Sequence, residues 1–375
     1  MRRSEIETEV LEWIEEAPWS EDDRRFEGLA LALFAFQFEA CPPYARFCRA
    51  LDRPPSSVER FSDIPAVPTG AFKEFDLRCF EEKATIKTFR TSGTSTDRRG
   101  QLHLDTLRLY EASLLASLRE ILLDDLHGQR STMRFLAPNP EASPDSSLTH
   151  MFETLRIAEG GPASDFDLRD EKLDLETLQQ AVRQAGEGAA PILLLGTSFA
   201  FVHFLDATAE SGSKDWKLPE GSRVMETGGF KGRSREVPGD VLRAEIAERF
   251  GLPETSVINQ YGMTELGSQF YDSTVVDPEG PRRKLSPPWT RVRIIDPMTG
   301  QDVDPGETGM IVIHDLANTG SVAAIQTADL GRSVLNEAGK LIGFSVLGRF
   351  AGAEARGCSI ATDIMLDASQ GIHSS

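Results

Sequence analysis

The residues that invite chemistry first are Thr91, Ser92, Gly93, Thr94, Ser95 and Thr96, five hydroxyl side chains around one glycine, followed by Arg98, Arg99 and Gly100. A glycine lets backbone N–H groups turn toward an anion, hydroxyls donate further bonds, and arginine neutralises charge. That is the chemistry of a phosphate-holding loop. It is also the composition of an ordinary solvated turn, and the stretch alone leaves both readings open. Two ready-made phosphate motifs are excluded. No lysine follows a second glycine in a GxxxxGK[ST] string, and residues 228–232 read GGFKG rather than GxGxxG. A third chemical signal, Gly196-Thr197-Ser198-Phe199-Ala200, nearly spells the GxSxG elbow of hydrolases. Ala200 stands where the second glycine belongs, and no acid and histidine follow in a triad arrangement, so a serine hydrolase is disfavoured.

The elements around these residues alternate. Residues 4–16 and 26–40 read as amphipathic helices, the first with Ser4 and Glu7 as a capping box. Residues 54–68 form a proline-punctuated connector, and Ile64–Pro68 reads as an extended surface arm rather than a central strand. Residues 84–90 read as a strand entering the polar loop. A helix over 105–123 follows, with Asp105 as its cap and its positive end toward the loop. Short strands are expected at 133–136, 191–195 and 224–229, and helices at 148–155, 173–185 and 240–250. The Ile and Leu run at 191–195 reads as a strand buried on both faces, the mark of a parallel sheet. From Trp289 the texture changes to short strands at 291–295, 310–314 and 341–347, separated by Gly, Asp and Asn turns. The pattern is α/β followed by a β meander: a core over 1–288 and a small β-rich subdomain over 289–375.

The net charge of −19 argues against non-specific binding to nucleic acid or an anionic membrane, so a nucleotide would need a local basic pocket. Cys41, Cys48, Cys79 and Cys358 show no CxxC pair and no zinc spacing, which reads as reduced thiols in a cytoplasmic protein. The N-terminus lacks an apolar signal core, and the longest apolar run, 28–36, is too short to span a bilayer. His103, His127, His150 and His373 have no partners in sequence. Phe199, Phe201, His203 and Phe204 follow a buried strand and read as core.

Four separated strings occur in the order of one superfamily. TSGTSTDRRG at 91–100 resembles the phosphate loop of adenylate-forming enzymes, QYGMTE at 260–265 their aromatic-Gly-x-Thr-Glu motif, and TADLG at 327–331 their Thr-Gly-Asp-Leu-Gly motif, with Gly348-Arg349 resembling the arginine beyond it. Within that superfamily the chain resembles the LuxE acyl-protein synthetase group, through IPAVPTGAFKEF at 64–75, HDLAN at 314–318 and LGRFAGAEARGCS at 347–359.

The resemblance implies an α/β adenylate-forming core of layered sheets with a small β-rich subdomain, lacking the full C-terminal lid domain. It implies ATP and Mg²⁺. Thr91, Ser92, Gly93, Thr94, Ser95 and Arg99 would meet the phosphates. Gly228 and Gly229 would let adenine approach the backbone, and Tyr261 would pack on it. Thr264 would bond the α-phosphate, Glu265 would hold the metal, and Asp329 with Arg349 would take the ribose. Cys358 would carry the acyl group as a thioester, its thiol assisted by Arg356. Four departures stand out: Thr96 replaces a glycine, Arg99 a lysine and Ala328 a glycine, and no room remains after RGCS for a domain with a catalytic lysine. Lys231 is the substitute cation. The implied activity is ATP-dependent activation of a fatty or other hydrophobic carboxylic acid as acyl-AMP, then transfer to a protein thiol. The acid and an acyl reductase or other acceptor protein are the implied partners, without nucleic acid or a membrane span, and homo- or hetero-oligomers stay open. The competing expectations are an acyl-CoA ligase resembling phenylacetate–CoA ligase and a non-catalytic acyl- or nucleotide-binding subunit.

Overall fold

The structure is a computed structural model that describes residues 1–92, 98–123, 130–169, 172–211, 216–228 and 237–350. It divides into two compact units. One is built from residues 1–117, 263–270 and 283 onward, the other from 118–262 and 271–282.

The first unit opens with helices Arg3–Glu15, Asp23–Ala40 and Pro42–Ala50. The first is closed at its start by Arg2 and Glu5, whose carboxylate accepts from the Arg2 backbone N–H at 2.7 Å, rather than by Ser4 and Glu7. Glu7 instead pairs with Arg3 at 2.8 Å and accepts from the Thr319 hydroxyl at 2.8 Å. The second begins at Asp22, whose side chain accepts from the N–H groups of Arg24 and Arg25. That placement satisfies two donors that the first turn leaves without helical partners. The expected surface arm is extended but not exposed. Val67–Pro68 pairs parallel with Ile325–Gln326, and Val67 is fully buried. Proline tolerates this because the contact is a two-residue edge that asks it for no N–H.

Strands Lys87–Arg90 and Gln101–Leu104 form an antiparallel hairpin that carries the hydroxyl-rich loop. The meander after Trp289 is present as Thr290–Ile295, Thr308–Asp315, Ala324–Leu335 and Leu341–Arg349, each antiparallel to the next. Ile295, Met310 and Val312 pack on one of its faces with Ala66 and Phe350. Gly331 has a steric reason to be glycine: a Cβ there would lie 2.6 Å from Ile311 Cγ1 and 2.9 Å from the Ser345 carbonyl oxygen.

The second unit holds a parallel sheet in the order Asp165–Arg169, Thr132–Pro138, Ile192–Thr197, Arg223–Thr227, Val257–Tyr261. The Ile192–Thr197 strand is buried along its first five residues, as its unbroken apolar run requires of a strand covered on both faces. Ile192, Leu194, Val224 and Val257 share a core with Phe201, Phe204, Leu242, Ile246 and Phe250 from helices Ser198–Ser211 and Gly239–Phe250. Full burial of each such side chain contributes about 1.5–3 kcal/mol. The near-elbow glycine belongs to this packing, since a Cβ on Gly196 would lie 2.8 Å from Leu136 Cβ.

Candidate active site

In the first unit the polar loop rises from a tightly closed stem. The Thr91 N–H donates to the Gly100 carbonyl at 2.9 Å, and the Gly100 N–H returns a bond to Thr91 Oγ1 at 3.0 Å. Arg99 lies across the stem, donating from Nε to the Thr91 carbonyl at 2.6 Å and from its second amino group to the Arg90 carbonyl at 3.2 Å. A guanidinium suits this because its rigid fork reaches two acceptors at once. Arg98 turns outward to Glu74 at 3.3 Å.

Glu265 stands beside this stem. It follows Thr264 in a turn where the Leu266 N–H donates to the Met263 carbonyl at 3.2 Å, and it is 6 % exposed. A methyl group on Gly100 would lie 3.4 Å from Glu265 Oε1 and 3.1 Å from Thr91 Cγ2. The hydroxyl loop's closing glycine and the carboxylate of the QYGMTE string are therefore neighbours, although 165 positions separate them in the sequence (265 minus 100).

Behind Glu265 runs a buried polar network that the sequence reading missed. Asp315, fully buried, accepts from the Gly267 N–H at 2.8 Å, the Ser268 hydroxyl at 2.7 Å and the Ala317 N–H at 3.1 Å. Burial raises its carboxyl to about 6 against the pull of those donors. Trp289 Nε1 donates to the hydroxyls of Ser113 and Ser268. Asn318 donates from its amide to the Glu265 carbonyl at 2.9 Å and the Val322 carbonyl at 3.0 Å. The available signal was the HDLAN string, in which polar Asp315 and Asn318 flank apolar residues. Next to it, His314 is 2 % exposed and meets Phe61 edge-on at 5.2 Å; burial, with the charge of Arg293, pushes its imidazole down to about 3.

Asp329 and Arg349 are cross-strand partners, with Arg349 Nε 4.0 Å from Asp329 Oδ1. Thr327 ties the backbone of the Ala324–Leu335 strand here. Its hydroxyl donates to the Ile311 carbonyl and accepts from the Asp329 N–H at 3.1 Å. Asp105 does not cap the helix, which starts at Arg108. It forms a two-pronged ion pair with Arg3 at 2.7 Å, and Thr106 Oγ1 takes the Arg108 N–H instead. His103, expected without a partner, contacts Thr88 Oγ1 through Nδ1 at 2.9 Å. Cys41, Cys48 and Cys79 are buried free thiols, and burial pushes Cys48 up to about 12.

In the second unit the sheet's C-terminal edge gathers Ser198, Glu226, Thr227, Asn259 and Gln260. Ser198 is 3 % exposed and donates to Glu226 Oε2 and the Gly228 carbonyl, so it is a buried tether rather than a raised nucleophile. Glu226, 2 % exposed, also accepts from Asn259 Nδ2 at 2.7 Å and faces Arg243 at 3.7 Å. Thr227 bonds to the Gln260 side chain and carbonyl. These ties hold the strand that ends in half-buried Tyr261. Gly228 takes a φ of +77°, which favours glycine. Phe201 and Phe204 are core, while Phe199 is half-buried and meets exposed His203 at 4.5 Å.

Gly93, Thr94, Ser95, Gly229, Lys231 and Cys358 lie outside the described residues, as do Thr96, Arg356, His127 and His373. Among the described residues, no three His, Cys, Asp or Glu side chains form a ready-made metal cluster, and no helix is long and apolar enough to cross a membrane.

A family model described as "Acyl-protein synthetase, LuxE" matches residues 2–366. The long-chain-fatty-acid–luciferin-component ligase of Aliivibrio fischeri is 22% identical over 320 residues, covering 84% of this chain and 81% of that protein. The protein of the same name from Vibrio harveyi is 20% identical over 317 residues, with the same coverage of both chains, 84% and 81%. Among solved structures, the open conformation of 2-hydroxyisobutyryl-CoA ligase in complex with 2-HIB-AMP and CoA is similar with a TM-score of 0.61 at 14% identity, over 90% of this chain and 80% of that one. The fold is thus that of the adenylate-forming ligases.

Proposed function

This chain belongs to the LuxE acyl-protein synthetase family, and from that premise we propose that it activates a long-chain or other hydrophobic carboxylic acid with ATP and passes the acyl group to a protein thiol. The observation that carries the reading is the proximity of the loop stem and Glu265: Gly100, bonded to Thr91 at the base of the hydroxyl-rich loop, sits beside the one acidic side chain of the QYGMTE string.

In the first step a substrate carboxylate oxygen attacks the α-phosphorus of ATP. The P–O bond to the β-phosphate breaks, acyl-AMP forms and pyrophosphate leaves. Thr91, Ser92, Gly93, Thr94 and Ser95 donate to the phosphate oxygens, Thr264 to the α-phosphate, and Lys231 supplies positive charge; Asp329 with Arg349 takes the ribose, and Tyr261 with Gly228 and Gly229 the adenine. A single buried carboxylate beside a phosphate loop suits Mg²⁺, which takes one or two carboxylates and completes its shell with phosphate oxygens and water. Bound there, the ion would offset the negative charge that develops at phosphorus. Glu265 would be its ligand. In the second step a thiolate, proposed to be that of Cys358, attacks the acyl carbon. The thioester forms and AMP leaves with the electron pair of the broken C–O bond.

Carboxylate-dependent exchange of labelled pyrophosphate into ATP tests the first step. Glu265→Ala should abolish exchange while leaving the folded spectrum intact; exchange at the wild-type rate overturns the magnesium role. Hydroxylamine-labile acylation of the chain, lost in Cys358→Ser, tests the second. Thioester formed only on added CoA would assign the protein as a CoA ligase instead.

A further inference from the structure

HDLAN at 314–318 has a physical task that the two chemical steps leave unassigned. Asp315 and Asn318 are 0 % and 2 % exposed, so neither side chain is open to solvent. Both bond to one short segment. Asn318 holds the carbonyl of Glu265 itself, and Asp315 holds the N–H of Gly267 and the hydroxyl of Ser268. Three points of a loop without helix or ladder bonds are thus tied to residues at and just beyond one strand end. Gly267 can approach so closely because it lacks a side chain: a Cβ there would lie 3.0 Å from the Ala317 carbonyl carbon.

The HDLAN end is itself braced. The Asp315 N–H donates to the Ala323 carbonyl at 2.9 Å, and Leu316 to the Trp289 carbonyl at 3.1 Å. Gln37, buried in the second helix, donates to the Asn318 carbonyl at 2.9 Å and accepts from the Ala323 N–H at 3.0 Å. The chain of bonds runs from an N-terminal helix through Asn318 to the backbone of Glu265, whose carboxylate lies against Gly100. Asn318 Oδ1 is buried without a partner, but the donors of this network are bonded, and another arrangement would strand them away from water. We infer that Asp315 and Asn318 are positioning residues for Glu265, fixing the height of its carboxylate over the loop stem and so the geometry in which a divalent cation meets phosphate. The inference rests on Glu265 being the metal carboxylate of the proposed reaction.

Two measurements on the full chain decide it. Hydrogen exchange of the peptide covering 263–270 should speed up at least 10-fold in Asn318→Ala and in Asp315→Asn, with smaller changes over 132–138 and 192–197. The Mg²⁺ concentration giving half-maximal pyrophosphate exchange should rise at least 10-fold in both, while the KM for the acid stays within 2-fold. A purely structural role would lower the folded fraction without moving the Mg²⁺ requirement. Unchanged protection over 263–270, or an unchanged Mg²⁺ requirement in a folded variant, overturns the inference. Asn318→Ser substitutes where Asn318→Ala does not fold, since its hydroxyl is too short to span to the Glu265 carbonyl. If the wild-type chain shows no carboxylate-dependent exchange, the proposed function fails, and hydrogen exchange over 263–270 still decides whether the two side chains hold that backbone.

Discussion

Gly100→Ala is the smallest change that reaches the proposed metal ligand without touching it. The added methyl would sit 3.1 Å from Thr91 Cγ2, 3.5 Å from Thr91 Oγ1 and 3.4 Å from Glu265 Oε1. Something must yield by a few tenths of an ångström. Thr91 is pinned through its N–H, its hydroxyl and its carbonyl by Gly100 and Arg99. The Glu265 backbone is pinned by Asn318. Glu265 Oε1 is the far end of a long, flexible side chain, whereas both ends of the Thr91 contact are tied, so the carboxylate moves. Gly100 has no left-handed φ, so alanine adds no backbone strain. Removing a glycine from the unfolded chain stabilises by about 0.4–1 kcal/mol, which offsets most of the crowding. The thermal midpoint should therefore stay near that of the wild type. Activity should not, because a misplacement of about 1 Å at a reacting centre costs roughly 100-fold. A shift of half that size predicts a loss of roughly 10-fold in pyrophosphate exchange, or about 1.4 kcal/mol. A double-mutant cycle with Glu265→Asp identifies the route. Shortening the side chain withdraws the carboxylate from the methyl, so the two losses should couple by at least about 0.5 kcal/mol, beyond the scatter expected of independent sites. Wild-type exchange in Gly100→Ala, or losses that simply add, would refute the argument.

Two further predictions concern stability. His314 has its imidazole depressed by burial from 6.5 to about 3, so its contribution is present above pH 6.5 and is lost as the pH falls toward 3. Between pH 7.5 and pH 5 the stability of the wild type relative to His314→Leu should drop by about 2 kcal/mol, as 1.5 units below the unfolded value imply; urea unfolding at the two pH values checks this, and a constant difference counts against it. Glu226 bonds to Ser198 and Asn259 and faces Arg243 inside the second unit. Glu226→Ala should cost about 3 kcal/mol by leaving buried donors and a cation unpaired, and Glu226→Gln should cost less; a Glu226→Ala chain as stable as the wild type would show that the network contributes nothing.

What the sequence disclosed was periodic or conformationally forced. The apolar run at 191–195 announced a doubly covered strand because both faces had to be apolar. The β meander after Trp289 was legible from its turn residues. The misplacements share a cause: a side chain had a distant partner stronger than its local option. Asp105 is in the right place to cap a helix, but Arg3 lies 102 positions away in sequence and takes both its oxygens. Glu7 is three residues from Ser4, yet Arg3 and Thr319 claim it. Ile64–Pro68 reads as surface because proline lacks a donor, while the fold needs from Val67 only a buried side chain and a two-residue edge.

The site residues divide the same way. Motif spacing located Thr91, Gly100 and Glu265 along the chain, and their proximity follows from the hairpin and the turn that present them. What spacing does not encode is what each side chain holds. Arg99 occupies the position where the superfamily carries a lysine, and charge alone would send it to the phosphates. Its Nε and one amino group bond two backbone carbonyls, those of Thr91 and Arg90. A lysine ammonium is a point charge that cannot match two fixed acceptors in one plane, whereas the guanidinium can. Arg99 thereby braces the loop stem, and the prediction is that a single methyl on Gly100 displaces Glu265 rather than the stem. The same stiffness gives the ties from Asp315 and Asn318 their purpose: a carboxylate held between a braced stem and a loose backbone would simply back away, and a backbone tied at Glu265, Gly267 and Ser268 keeps it against Gly100.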